Sequence, residues 1–310
     1  MRVLVIVVTF NGMRWLERCL GSVYADADLY VFDNDSTDGS ADYVEEHFPQ
    51  AKLVRSAENL GFSKPNNLGF SYAIEKGYDY VYLLNQDAWL EEGSLKKLVE
   101  VADAHPEFGV LSPVQYQDGY KALDAQFSKL LPHSCAELLV SSRGEGEKAF
   151  GCVNGSRFAN GNNVVSVKRV MAAHWLIPVS VIKRIGPFEE DLFPHWGQDD
   201  EWCFRLHFCG LKIGVVSEAR AVHDRALRKE PLEKLVKRNY YVGSTVRLCD
   251  LARPLWASSL YVLVFTFVKT LKYFNPLPIT YFGRLIRNYP KIRLYRHNLR
   301  DKLKIAFPLR

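Results

Sequence analysis

The 310-residue chain contains no C-x-x-C pair; its six cysteines (Cys19, Cys135, Cys152, Cys203, Cys209, Cys249) are scattered. That spacing argues against a disulfide framework or a thiolate zinc site and fits a reducing cytosol. No apolar run reaches the ~20 residues that a bilayer span needs. The nearest, LWASSLYVLVFTFV at 255–268, has about 14 mainly apolar residues and is closed by Lys269 and Lys272. The opening MRVLVIVVTFNG is too short and strand-like for a signal peptide and lacks a small-residue cleavage site, so it is expected to be the first core strand. No G-x-G-x-x-G follows that strand and no G-x-x-x-x-G-K-[ST] is present, so phosphates are not held mainly by a glycine-rich loop. There is no internal repeat, and no Ser/Cys–His nucleophile arrangement is evident.

What is there is globular: 48% hydrophobic and 24% charged. The length suits one large domain, alone or with a smaller C-terminal element. The net charge of +5 hides an asymmetry. Residues 225–310 hold 19 Lys and Arg against 4 Asp and Glu, whereas residues 1–224 hold 21 against 31. A basic tail points to an anionic partner. Its apolar segment, flanked by cations and by Trp256, Tyr261, Tyr273 and Phe274, suits a helix lying in a membrane interface. The competing reading is a core helix with a solvated basic surface. Nucleic acid is disfavoured, because no groove pattern of stacking aromatics among cations is present.

Strand and helix patterns alternate. Continuous apolar or β-branched runs predict strands at 3–10, 29–33, 51–56, 78–84 and 109–116, and helical spacing predicts helices at 13–24, after Asp38, at 62–76 and at 93–105. Four β-α repeats mean an open, mostly parallel sheet with helices on both faces. Residues 117–163, rich in Gly, Ser and Asn, read as loop. A strand and short helix follow at 170–186, a helix at 199–210 and two short strands within 211–224. Basic helices broken by Pro231, Pro254, Pro276, Pro278 and Pro290 complete the chain.

Polar residues gather where the strands end: Thr9-Phe10-Asn11-Gly12, Asp33-Asn34-Asp35-Ser36, the segment Asn59 to Asn67, and Asn85-Gln86-Asp87. Each alone is ordinary turn chemistry. Together they mark one edge, and open parallel sheets bind ligands at the carboxyl ends of their strands. A divalent ion needs only one or two protein carboxylates when phosphates and water complete its shell, and Asp87 is placed for that. Asp33 or Asp35 could accept from a nucleobase N–H or ribose hydroxyls.

The segments VTFNG, DNDSTDGS, NLGFSKPNNLGF, LLNQDA and IGPFEEDLFPHWGQDDEWCFR resemble those of the family 2 inverting glycosyltransferases, in their bacterial rhamnosyltransferase-like branch. The likeness covers roughly 1–225. It implies a GT-A nucleotide-sugar-binding fold, an α/β Rossmann-like mostly parallel sheet flanked by helices, over residues 1–225, with a basic, amphipathic helical C-terminal region at 226–310. It implies nucleotide-sugar contacts from Thr9, Asn11, Asp33, Asp35, Asn59, Gly61, Phe62, Asn67 and Asn85. Asp87, with His223 after the last strand, would hold Mg²⁺ or Mn²⁺. In the segment Gln198-Asp199-Asp200-Glu201-Trp202-Cys203-Phe204-Arg205, Arg205 fixes the register and Asp199 becomes the catalytic base. Two departures remove a charge: Asn85 stands where the family often has Asp, and Gln198 where it often has Glu. His174, Trp175, Trp196 and Asp200 are candidates for the acceptor cleft.

The plain alternatives are acids favoured by a helix dipole at Asp199 and Asp200, an ordinary strand-end His223, and core aromatics. The function implied is transfer of a sugar from a nucleoside diphosphate to a hydroxyl of a glycan or lipid-linked glycan, in surface polysaccharide synthesis. It would take place in the cytoplasm at the inner face of the cell membrane. The competing classes are a nucleotidyltransferase, whose glycine-rich stretch FNGMRW does not match, and an inactive sugar-nucleotide-binding protein.

Overall fold

The computed structural model describes residues 1–117, 122–131, 164–224 and 231–306. It divides into two compact units: Met1–Pro187 with Leu211–Arg225, and Phe188–Gly210 with Ala226–Arg310. The segment 188–210, expected to belong with the N-terminal part, groups with the C-terminal residues. There Phe193 packs in one apolar cluster with Val236, Tyr240 and Val246.

The first unit is built on a nine-stranded sheet: β1 (Val3–Thr9), β2 (Asp28–Asp33), β3 (Lys52–Arg55), β4 (Tyr80–Asn85), β5 (Ala88–Leu90), β6 (Phe108–Tyr116), β7 (Val164–Val167), β8 (His174–Pro178) and β9 (Lys212–His223). The order is β3-β2-β1-β4-β8-β6-β9-β5, with β7 also on β9. The half β3-β2-β1-β4 is parallel, as the alternating pattern predicts. The helices α1 (Met13–Gly21), α2 (Ser40–His47) and α3 (Ser63–Glu75) connect these strands. Beyond β4 the sheet is mixed. β8 runs antiparallel to both β4 and β6.

β1 is apolar on both faces and buried along nearly its whole length, as a central parallel strand must be. α1 turns Leu16, Cys19 and Leu20 inward, and α4 (Ser94–Ala104) turns Leu95, Leu98 and Ala102 inward. Register then sets the site. Thr9 pairs with Asp33 and Val8 with Asn85, so the ends of β1, β2 and β4 are level. The order reverses about β1, which makes this edge a topological switch point.

Three expectations change. The two short strands within 211–224 are one strand, β9; the break is a bulge, where the partners of Pro113 and Val114 jump from Val216 to Arg220. β5 and β7 carried too few residues to be read from pattern. Most of 117–163, including its Gly-, Ser- and Asn-rich part, lies outside the described residues, which add only the short α5 (Ala125–Ser128). α6 (Val179–Ile185) completes the unit.

The second unit is helical: α7 (Gln198–Phe208), α8 (Leu232–Val236), a π-helical stretch Lys237–Val242, α9 (Gly243–Cys249), α10 (Leu255–Tyr273) and α11 (Leu277–Ala306). Pro231 and Pro254 precede helices, but Pro278 and Pro290 break none. A first-turn proline removes an N–H that has no partner anyway. Pro290 frees the carbonyl of Ile286, an exposed residue whose carbonyl water can satisfy.

α10 corrects the expected length. It runs 19 residues, and Leu255–Lys272 is long and apolar enough to cross a membrane by length and composition, with mean hydropathy 1.2. Only Ser258, Val262 and Thr266 of that stretch are buried, on one face. The opposite face exposes Trp256, Leu260, Leu263, Val264, Phe267 and Leu271. The helix thus turns hydroxyls inward and large apolar groups outward.

Candidate active site

The end of β1 is latched to the end of β4 by Gln86. Its Oε1 accepts from Thr9 Oγ1 at 2.9 Å and from the Phe10 N–H at 2.8 Å, and its Nε2 donates to the Phe10 carbonyl at 3.2 Å. Gly12 makes room for this: a Cβ there would collide with Gln86 Oε1 and come within 2.5 Å of Thr9 Oγ1. Asn11, at φ +50°, accepts from the Thr37 N–H at 2.9 Å, and its own N–H donates to Ser36 Oγ at 2.9 Å. Asp38 joins the same loops by accepting from the Met13 N–H at 3.0 Å, at the start of α1.

At the end of β2, Asp33 is 3% exposed. Its Oδ2 accepts from the Ser36 N–H at 3.0 Å, while its Oδ1 has no hydrogen-bond partner among the described residues. A buried carboxylate oxygen left this way is expensive until a donor arrives. Asp35 stands exposed at φ +67°. Asn34 ties β2 to the next segment, donating to the Gly61 carbonyl at 2.7 Å and accepting from the Leu60 N–H at 3.0 Å. Asn59 accepts from the Gly61 N–H at 2.9 Å. Phe62 and Asn67 are half-buried at the start of α3.

Asn85, Gln86 and Asp87 form the turn between β4 and β5. Because β5 pairs with β9 at Ala88 and His223, the turn delivers Asp87 to the end of β9. Asp87 Oδ1 lies 3.4 Å from His223 Nε2, with side chains 27% and 4% exposed. His223 Nδ1 is buried with no hydrogen-bond partner among the described residues. His174 fixes the approach of β9: its Nε2 meets the Val222 carbonyl at 3.1 Å and its Nδ1 the Tyr82 hydroxyl at 2.8 Å. Burial, helped by His223, lowers its pKa to about 3, so it is neutral. Cys19 Sγ donates to the Asn85 carbonyl at 3.4 Å; burial, then the charge of Asp87, pushes this thiol up and leaves it inert as a nucleophile.

In the second unit, Gly197 at φ +89° turns the chain into α7. A Cβ there would meet Val242 at 2.6 Å, so close packing and backbone angle both demand glycine. Asp199 and Asp200 occupy the first turn, half-buried, with the Asp200 N–H donating to Asp199 Oδ1 at 3.0 Å. Gln198 Oε1 is buried with no partner among the described residues. Trp196 is half-buried, with Lys234 Nζ 5.6 Å from its ring centroid.

A sequence model described as Glycosyl transferase family 2 matches residues 4–141. Residues 4–141 are thus similar to a family 2 glycosyltransferase domain. It is 23% identical over 203 residues to dTDP-rhamnosyl transferase RfbF of Shigella flexneri, an alignment covering 63% of this chain and 62% of that protein. The chain therefore spans less than two thirds of that relative. Among solved structures, S. aureus TarS 1–349 superposes with a TM-score of 0.58 at 15% identity, over 99% of this chain and 89% of the other. The mannosyltransferase PcManGT from Pyrobaculum calidifontis, in complex with GDP-Man and Mn²⁺, gives 0.54 at 16% identity, over 98% and 85%. The shared fold is GT-A.

Two expected acceptor residues must be withdrawn. His174 and Trp175 are both 0% exposed; one braces β9 and the other fills the core, so neither lines a cleft. Four residues that shape the site were not singled out from sequence: Asn34, Tyr82, Trp15 and Asp224. Asn34 had a signal, an amide between two acids in DNDS; the others depend on partners 50 or more positions away.

Among the described residues no group of three or more His, Cys, Asp and Glu side chains could hold an ion. Asp87 and His223 do converge, one carboxylate and one imidazole. That pair fits a divalent ion whose remaining ligands are diphosphate oxygens and water, rather than an all-protein cage.

Proposed function

We propose that this glycosyltransferase moves a sugar from a nucleoside diphosphate to a hydroxyl of a glycan or lipid-linked glycan, with inversion at the anomeric carbon, in surface polysaccharide synthesis. The observation that carries the reading is the level edge of β1, β2 and β4. There the unsatisfied Asp33 Oδ1 stands ready for a nucleobase or ribose donor, and Asp87 meets His223.

In the proposed reaction the acceptor oxygen attacks the anomeric carbon from the face opposite the diphosphate, and Asp199 takes the hydroxyl proton. General-base help contributes roughly 10²–10⁴-fold. The C–O bond electrons leave with the diphosphate. Asp87 and His223 would hold Mg²⁺ or Mn²⁺, and such an ion, when bound, offsets the charge gathering on the leaving group. Direct displacement needs no protein nucleophile, which agrees with the inert Cys19. The outward apolar face of α10, in a region rich in Lys and Arg, supports peripheral contact with an anionic membrane, where a lipid-linked acceptor would lie.

A thermal-shift panel of sugar nucleotides with and without Mn²⁺ tests the donor, since a ligand of the native state raises stability by RT ln(1 + [L]/Kd). dTDP-rhamnose heads the panel because RfbF is named for that donor. Asp199→Asn then tests the base: near-normal transfer would sink the assignment. Donor binding with no transfer to any glycan would leave a sugar-nucleotide-binding protein instead.

A further inference from the structure

We propose that Tyr295 is a positioning residue for the transfer reaction, acting through Glu201 on the helix that bears Asp199, so that the C-terminal helices belong to the catalytic apparatus. The inference rests on Asp199 being the base.

α7 presents Asp199 in its first turn and carries Glu201 and Arg205 one turn apart. Both are buried, 2% and 4% exposed. Arg205 Nε donates to the two Glu201 oxygens at 2.8 and 2.9 Å, and its Nη2 donates to Oε2. Neither charge is left uncompensated in the interior, which would be costly. Yet this pair lies within one helix, and its members shift together. It cannot by itself fix the rotation or height of α7.

Tyr295 can. It comes from α11, 94 positions along the chain, and its hydroxyl donates to Glu201 Oε1. Arg205 lies 6.0 Å from the centroid of its ring. Burial and the neighbouring carboxylate hold the phenol well above its ordinary value, so it stays a donor at working pH. α11 is itself held. Arg296, the next residue, donates to the carbonyls of Leu248 and Arg253, each at 2.7 Å. Tyr289 meets Ser259 of α10 at 3.2 Å. A general base must be placed to within a fraction of an ångström, and a 1 Å error can cost on the order of 10²-fold.

The test uses the full chain, a soluble acceptor and the variants Tyr295→Phe, Arg205→Lys and Asp199→Asn. Steady-state kinetics are read beside calorimetric binding of the sugar nucleotide. Tyr295→Phe should lower kcat about tenfold, with donor Kd unchanged and folding retained. Arg205→Lys, which keeps the charge but loses the planar fork, should give the same split. Should Tyr295→Phe not fold, Arg205→Lys alone carries the test. Wild-type kcat in the folded variants, or a matching loss of donor binding, overturns the proposal while Asp199→Asn remains inactive. Wild-type turnover in Asp199→Asn overturns the assignment of the base itself.

Discussion

The indole N–H of Trp15 donates to Asp224 Oδ2 at 2.9 Å. Asp224 in turn donates its backbone N–H to the Asp87 carbonyl at 2.8 Å, so α1 braces the turn that presents Asp87. Groups that orient metal ligands are worth about 10–100-fold in affinity. Trp15→Phe should raise the half-saturating Mn²⁺ concentration for donor binding by about tenfold and cost about 1 kcal/mol of stability. An unchanged Mn²⁺ titration would show that the contact only anchors the helix.

Asn85 and Asp87 should separate cleanly. Asp87 supplies a carboxylate near His223, whereas the backbone of Asn85 is engaged with Ala173 and Cys19. Asp87→Ala is expected to abolish metal-dependent transfer and Asn85→Ala to retain it. Activity measured across a Mn²⁺ series in the presence of chelator decides, and the reverse pattern would overturn the site.

His174 makes the fold sensitive to acid. It is neutral in both folded and unfolded chains well above its ordinary value of 6.5. As pH falls from 6.5 toward 3, the unfolded chain gains a proton that the folded chain refuses, and stability falls by up to about 1.4 kcal/mol per unit. Urea unfolding at several pH values should show His174→Gln with a shallower decline than wild type over this window, even if it is less stable at pH 7.

The α10 face offers a test that truncation does not. Removing residues 254–310 would also delete Val262, Tyr281, Leu285 and Ile292 from the core of the second unit. Serine at Leu260, Val264, Phe267 and Leu271, each at least half exposed, leaves that core in place. Co-sedimentation with anionic vesicles should drop sharply with the melting temperature nearly unchanged. Equal sedimentation by both proteins would remove α10 from the membrane contact.

The parallel half of the sheet was legible because its cause is local. β1, β2 and β4 are apolar runs punctuated by Asn, Asp and Gly, and each helix between them buries one stripe. Polarity at the ends of those runs marked Asp33 and Asp87 for the same reason. What local pattern could not convey is which distant groups complete each end. Gln86 reads as part of a metal motif, yet it latches Phe10 and Thr9. His174 beside Trp175 reads as a sugar platform, yet antiparallel pairing of β8 with β4 buries both. A 14-residue apolar run reads as too short to span, yet its helix continues through Lys269 and Lys272 to Tyr273. The sequence by itself determined the alternating strands and helices, the polar edge and the acids available there. Only the tertiary structure decided which of those side chains were consumed as struts, because burial and hydrogen-bond partners depend on register between segments far apart in the chain.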